Sequence, residues 1–281
     1  MKKYYVLATS ALMVFTLAAC TDTAEPISGT QDKSSLTLQQ VFEKAIERQQ
    51  TLKNVHATVD MEQETEMVVE GEKIQFSTSS DLEMDIQQNP MAMYTKGTVA
   101  MDMGGESMEM PIEMYMSEAD GFYLLNGEAN QWVKLPDDQY QQVLAQTGAQ
   151  TDATVQLEQL KQFIDDFEFK QDDQSYLLIL NIEGDKFKSF IAGQLDATFG
   201  ETAEMSKNLM KTMTFEDSKY ELVIDKNTFD TKEIEMDLTM NMEMEGQPAK
   251  IVNDATIEYS KFDELAEITV PKEVKDKAVS Q

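Results

Sequence analysis

The chain has 281 residues, with 23 basic and 52 acidic side chains, a formal net charge of −29 and a single cysteine. That balance argues against a partner that is nucleic acid, anionic headgroup or another polyanion, since each would be repelled on approach, and a lone cysteine cannot form an internal disulfide. The core alone must hold the fold, and the length suits one large domain or two small ones.

The start of the chain carries the most specific signal. Lys2 and Lys3 precede an apolar run from Val6 to Leu17, which ends in Leu17-Ala18-Ala19-Cys20. This is the three-part layout of a secretory signal. The run is shorter than the roughly 20 residues that a spanning helix needs. The cysteine at the cleavage point matches a bacterial lipoprotein signal. Residues 1–19 are therefore expected to be a signal peptide and Cys20 a lipidation site, with the rest on the extracytoplasmic face of the plasma membrane. No second apolar run of spanning length follows. Residues 20–35 are mostly polar and predict a lipidated cysteine and a flexible tether. Residues 36–281 form the predicted folded domain.

Order is expected from Thr37, where Thr-Leu-Gln-Gln resembles a capping box. Leu38, Val41, Phe42, Ala45 and Ile46 then keep helical spacing. Val55, Ala57, Val59 and Met61 alternate with polar residues, the period of a strand. After Gly71 a second strand carries Ile74, Phe76, Leu82, Met84 and Ile86. A third, after Asn89-Pro90, carries Met91, Met93, Val99, Met101 and Met103. Beyond Gly104-Gly105 a fourth carries Met108, Met110, Ile112, Met114 and Met116. Short strands at 122–125 and 132–135 flank Asn126-Gly127. This succession of hairpins predicts an antiparallel meander.

The period then changes. Tyr140, Val143 and Leu144, and later Leu157, Leu160 and Ile164, are spaced for helices. Two further helices are expected around Phe187, Phe190, Ile191 and Leu195 and around Met205, Leu209, Met210 and Met213. A strand from Tyr176 to Ile182 interrupts them. Strands return at 219–225, 231–245 and 250–259, and between Ile234 and Met244 the alternation is complete. The prediction is an α+β fold, a large curved antiparallel sheet covered by several helices. Its apolar face meets the helices and its acidic face meets water.

Twenty methionines fall mostly on the inward face, where Val and Ile are the usual strand residues. Methionine is flexible and polarisable. Such a face suits an adaptable apolar binding surface, although it also suits a merely filled core. Met91, Met93, Met101, Met110, Met114, Met236, Met240 and Met242 are the candidate cavity lining. A Cu(I) site of converging thioethers is a third reading, opposed by the single histidine and the lack of a second thiol. Catalysis has little support: His56 lies on the polar side of its strand, and no nucleophile elbow, phosphate loop or zinc-helix pair occurs. No catalytic residue, metal ligand or cofactor is assigned. Trp132 follows a hairpin turn and is expected to anchor the sheet.

Taken together, the Leu17 to Cys20 lipobox, the helix from Thr37, the strand Val55 to Met61, the segment Asp120-Gly-Phe-Tyr-Leu and the hairpin Tyr220 to Met244 resemble a family of Gram-positive lipoproteins. That family is related to the LolA and LppX lipoprotein-carrier fold. The resemblance implies an open half-barrel around helices, with an apolar cavity that accepts lipid or acyl chains. No ligand-contacting residue transfers by motif. The sequence thus points to a non-enzymatic, membrane-anchored lipoprotein binding a lipid or lipid-linked envelope component. A structural or protein-interaction lipoprotein with a filled core is the alternative.

Overall fold

The computed structural model describes residues 23–69, 71–127, 129–140, 153–182, 187–188, 212–244 and 246–280. The first strand, β1, is the pair Glu25–Pro26, and α1 spans Leu38–Thr51. A meander of long strands follows: β2 (Asn54–Val69), β3 (Glu72–Gln87), β4 (Ala92–Met103) and β5 (Glu106–Ser117), then the shorter β6 (Gly121–Asn126) and β7 (Gln131–Lys134). Helix α2 (Ala153–Leu160) runs into a 3-10 helix (Lys161–Asp166). After these come β8 (Phe167–Gln171), β9 (Ser175–Ile182), β10 (Thr214–Asp225), β11 (Thr231–Met244) and β12 (Gln247–Ser260). Helix α3 (Lys272–Lys277) and β13 (Val279–Ser280) close the chain.

The thirteen strands among the described residues share one unclosed sheet, ordered β1-β8-β9-β10-β11-β12-β2-β3-β4-β5-β6-β7-β13. Every pairing is antiparallel except those of the two edge strands, β1 with β8 and β13 with β7. The expected α+β class and its antiparallel meander are present. Glycines at positive φ make the tight hairpins, with Gly71 at 87° between β2 and β3 and Gly104 and Gly105 at 67° and 96° between β4 and β5. These are angles that a side chain resists.

The predicted capping box begins α1. The Thr37 side chain accepts from Gln40 N–H at 3.3 Å, and Thr37 N–H donates to Gln40 Oε1 at 3.0 Å, so two otherwise unpaired helix donors are satisfied. The apolar stripe of α1 then packs on the inner face of β9 to β12. Val41, Phe42 and Ala45 are wholly buried with Leu178, Leu222 and Ile224, and Leu157 and Leu160 of α2 join them. Phe42 meets Phe167 edge to face at 5.6 Å. At the far end of α1, Arg48 bonds Asp230 at 2.6 Å and Asp263 at 2.9 Å, clasping the helix to the loops around β11 and β12.

Three local expectations change. The expected flexible tether is fastened along residues 23–34. Thr23 bridges Thr37, and Ala24 is in the core. The buried Gln171 amide donates to Ala24 O at 2.6 Å and accepts from Ser34 N–H at 2.8 Å. A polar composition favours disorder only when nothing satisfies its backbone, and here β8 does. Strand β8 is an addition to the expected elements: Phe167 and Phe169 alternate with Glu168 and Lys170, but so short an alternation directly follows the helical spacing of Leu157, Leu160 and Ile164 and is hidden by it. Strand β10 starts at Thr214, five residues earlier than expected. Cys20, residues 1–19, Val143, Leu144 and the stretch containing Phe190 to Met210 lie outside the described residues.

Candidate functional site

The pleat gives the sheet two faces, and strand register fixes which residues share them. The outer face is the acidic one. Asp237, Asp254 and Glu62 lie directly opposite one another across β11, β12 and β2, as do Glu233 and Glu258. Like charges in these positions are unfavourable. Burial, reinforced by Glu235, Glu258 and Glu221, holds the Glu233 carboxyl above the usual carboxylate range. Lysines relieve part of the repulsion, with Lys219 3.0 Å from Glu221 and Lys96 3.0 Å from Glu83. His56 also belongs to this face, 2.6 Å from Asp85 on β3. Among the described residues, no group of three or more His, Cys, Asp or Glu is arranged to hold a metal ion.

One part of the outer face is dry. Tyr94 stacks on Tyr115 at 4.5 Å and Trp132 meets Tyr115 at 5.7 Å. Val270 and Val274 of the C-terminal segment pack with Tyr123, Tyr115 and Trp132. Trp132 thus anchors the sheet to its C-terminal segment.

The inner face is covered unevenly, and its apolar parts on β10 and β11 and on β4 and β5 are separated by polar residues on β12, β2 and β3, where Asn253, Gln63 and Thr78 share a row and Thr65 and Ser80 are buried. One row of partners reads Leu222, Ile234, Ile257, Val59, Leu82, Gly97 and Ile112 across β10 to β5. Helices α1 and α2 cover its β10 to β12 portion. On β3 to β5 the outlying residues are open: Ile74 is 45% exposed, Met103 63%, Met108 55% and Met110 38%. Met101 faces Met108, and Val99 faces Met110. Strands β2 and β3, of 16 residues each, are about 50 Å from end to end, and β4 and β5, of 12 each, about 40 Å, at about 3.3 Å per residue. The open patch therefore lies toward the hairpin tips at Gly71 and Gly104-Gly105.

The eight methionines expected to line one cavity occupy several environments. Met93 is buried with Met116 and Tyr140, and Met91 packs against that cluster. Met242 is buried with Met213 and Ala249, with Met240 beside it. Met236 packs against the main core. Met110 belongs to the open patch and Met101 adjoins it opposite Met108, whereas Met114 lies four residues farther along the inner face of β5, opposite the buried Thr95. Sequence reading passed over Ile74, Met103 and Met108 as site residues, although their alternation places them on the same face.

Two concavities flank α1. A cleft of about 590 Å³ between α1 and α2 is lined by Glu43, Ile46, Glu47, Glu158, Lys161 and Gln162. Its charged rim, with Lys161 3.5 Å from Glu43, does not suit an acyl chain. A narrow crevice of about 20 Å³ lies beneath α1 and α2, against the inner face, and Gln49, Leu157, Tyr220, Thr231 and Tyr259 are among its walls. Neither is an apolar cavity of lipid size. A polar Gln49 in the buried stripe of α1 was the available sequence signal for the crevice.

No helix among the described residues is long and apolar enough to cross a membrane. Residues 37–279 match the model of DUF6612, described as a family of unknown function. Comparison with curated proteins finds no match. Among solved structures, the chain is similar to a LolA superfamily protein from Nitrosomonas europaea, at 11% identity and a TM-score of 0.21, covering 83% of this chain and 96% of that one. It is also similar to a DUF1329 family protein from Desulfovibrio piger, at 8% identity and a TM-score of 0.16, covering 80% of this chain and 92% of that one.

Proposed function

We propose that this chain, which belongs to the DUF6612 family, is an extracytoplasmic lipoprotein that binds an apolar ligand against the inner face of its sheet. The observation that carries the reading is the uncovered end of that face, where Ile74, Met103, Met108 and Met110 are exposed together on neighbouring strands. Scattered exposed apolar residues are ordinary. Several sharing one face form a patch of the kind that marks a binding surface.

Side-chain chemistry narrows the ligand. The exposed side chains of the patch are thioethers and an aliphatic group, so hydrophobic burial supplies the affinity. Unbranched methionines repack around ligands of varied shape. The net charge of −29 repels anionic ligands and favours uncharged ones. The class that fits is an uncharged lipid or a lipid-linked envelope component.

The anchor belongs to the same proposal. Lys2, Lys3, the apolar run to Leu17 and the Leu17-Ala18-Ala19-Cys20 motif support processing at Cys20 and attachment to the extracytoplasmic side of the plasma membrane. Binding of diphenylhexatriene by fluorescence tests the ligand site, with Met103→Asp/Met108→Asp as the disabled variant. Saturable binding by the parent and its loss in a folded variant support the reading; equal binding by both overturns it. Mass analysis of the N-terminal peptide, with and without Cys20→Ser, tests the anchor separately.

A further inference from the structure

Gln49 breaks the pattern of the helix that carries it. It stands in the buried stripe of α1 with Leu38, Val41, Phe42 and Ala45, yet a long amide is a poor core residue unless both its ends are satisfied. Only 7% of Gln49 is exposed, and its Oε1 has no hydrogen-bond partner. Thr231, at the start of β11, is 4% exposed and its Oγ1 is equally unpartnered. Both residues line the crevice beneath α1 and α2. Two unpaired oxygens at one small opening require a common explanation, since buried polar groups are nearly always bonded.

The remaining walls define what fits. Tyr220 and Tyr259 bring phenols and Gln156 a further amide, while the others, Leu157, Leu222 and Ile234 among them, bring only hydrocarbon. No charged side chain lines the crevice, so an ion entering it would lose hydration without compensation. Burial pushes the Tyr259 hydroxyl up to about 12 and raises Tyr220 further, with Tyr259 adding to the effect. Both phenols therefore stay neutral and able to donate. Gln49 Oε1 can only accept, whereas Thr231 and the tyrosines can donate or accept. About 20 Å³ admits one group the size of a water molecule.

We propose that this crevice receives an uncharged hydroxyl group, the polar end of an apolar ligand, with Gln49 and Thr231 as its hydrogen-bonding residues. The proposal rests on the apolar-ligand reading for the identity of the molecule that brings the hydroxyl. Register places the crevice on the same inner face as the open patch but apart from it: Tyr259 shares a row with Ala57 and Met84, four residues along the strands from the row of Ser80, Val99 and Met110. The separation along the sheet is about 20 Å, so a ligand that reaches both is an extended chain of about that length. An ordered water has the same hydrogen-bonding chemistry and is the competing occupant.

The test uses Gln49→Leu and Thr231→Val, which nearly preserve volume, in the full chain. Three readouts are needed: the melting temperature, the affinity for 1-monoolein, and the affinity for diphenylhexatriene, which has no polar end. Expected are a lower melting temperature in each variant, an affinity for monoolein weakened about tenfold, and unchanged binding of diphenylhexatriene. A higher melting temperature in both variants means an empty crevice and overturns the proposal. A lower melting temperature with unchanged monoolein affinity assigns the crevice to water and overturns it as well. If the parent chain fails to bind diphenylhexatriene, the apolar-ligand reading fails, while the melting temperatures still show whether the crevice is filled.

Discussion

Replacing Gly97 with alanine should damage this protein more than its small size suggests. Gly97 sits in β4 between Leu82 of β3 and Ile112 of β5, with φ at +155°. A Cβ built there lies 2.0 Å from the Asp81 carbonyl oxygen, 2.8 Å from Leu82 Cα and 2.9 Å from Leu82 Cδ2. Ordinary contact begins near 3.4 Å, so the two backbones must separate by about 1.4 Å. The closest obstacle is main chain, which cannot turn aside like a flexible side chain. Glycine inside a strand marks a tight bend or a close backbone approach, and Gly97 belongs to the strand that carries Met101 and Met103. Overpacking together with a strained backbone angle predicts a loss of about 3–5 kcal/mol. For a domain of this size that is roughly a 10 °C fall in melting temperature. Thermal unfolding followed by far-UV circular dichroism reads it directly. A Gly97→Ala protein melting within about 2 °C of the parent would refute the reasoning, because β3 and β4 would then be free to part at this point.

Other substitutions separate the remaining claims. Met103→Leu/Met108→Leu should keep apolar-probe binding, because the face needs hydrocarbon and not sulfur; loss of binding on this exchange would favour a thioether metal site. Glu233→Gln should raise the melting temperature at pH 7. A raised carboxyl contributes most stability when protonated, so the parent loses that contribution as pH rises through the elevated folded value, and the advantage of Gln should vanish below the ordinary value near 4.5. An advantage independent of pH would contradict this. Gln171→Ala should free residues 23–34 to limited proteolysis, since one amide joins both Ala24 and Ser34 to β8; an unchanged cleavage pattern would show that other contacts suffice. Arg48→Met leaves Asp230, whose side chain is 8% exposed, without its main charged partner and should cost about 2–3 kcal/mol, below the range for wholly buried pairs. Denaturant unfolding measures that loss.

Much of the fold is legible because its signals are local. Alternation at Ile234 to Met242 and at Met108 to Met116 gives both the strands and their faces, and Thr37 with Gln40 announces the start of α1. Distant contacts leave no such trace. The polar residues before Leu36 look like a tether, and only Gln171, more than a hundred positions later, fastens them. Tyr94, Tyr115 and Trp132 lie on the face assigned to water, and the C-terminal Val270 and Val274 dry that part of it. The same limit governs the candidate site. Periodicity identifies inward methionines, but it cannot tell Met93, buried beside Tyr140, from Met103, left open, because that depends on where helices land. Gln49 and Thr231 converge only after α1 crosses the sheet to the start of β11.

The most direct test of the apolar-ligand account is mass spectrometry of an organic extract from the full chain carrying Cys20→Ser, which keeps the export signal and removes only the anchor site, purified without detergent from the extracytoplasmic fraction of a Gram-positive host. The account predicts one uncharged lipid class at close to one molecule per protein, reduced in the Met103→Asp/Met108→Asp variant. A fully folded protein that yields no lipid would contradict it and leave an interaction module with a methionine-rich core.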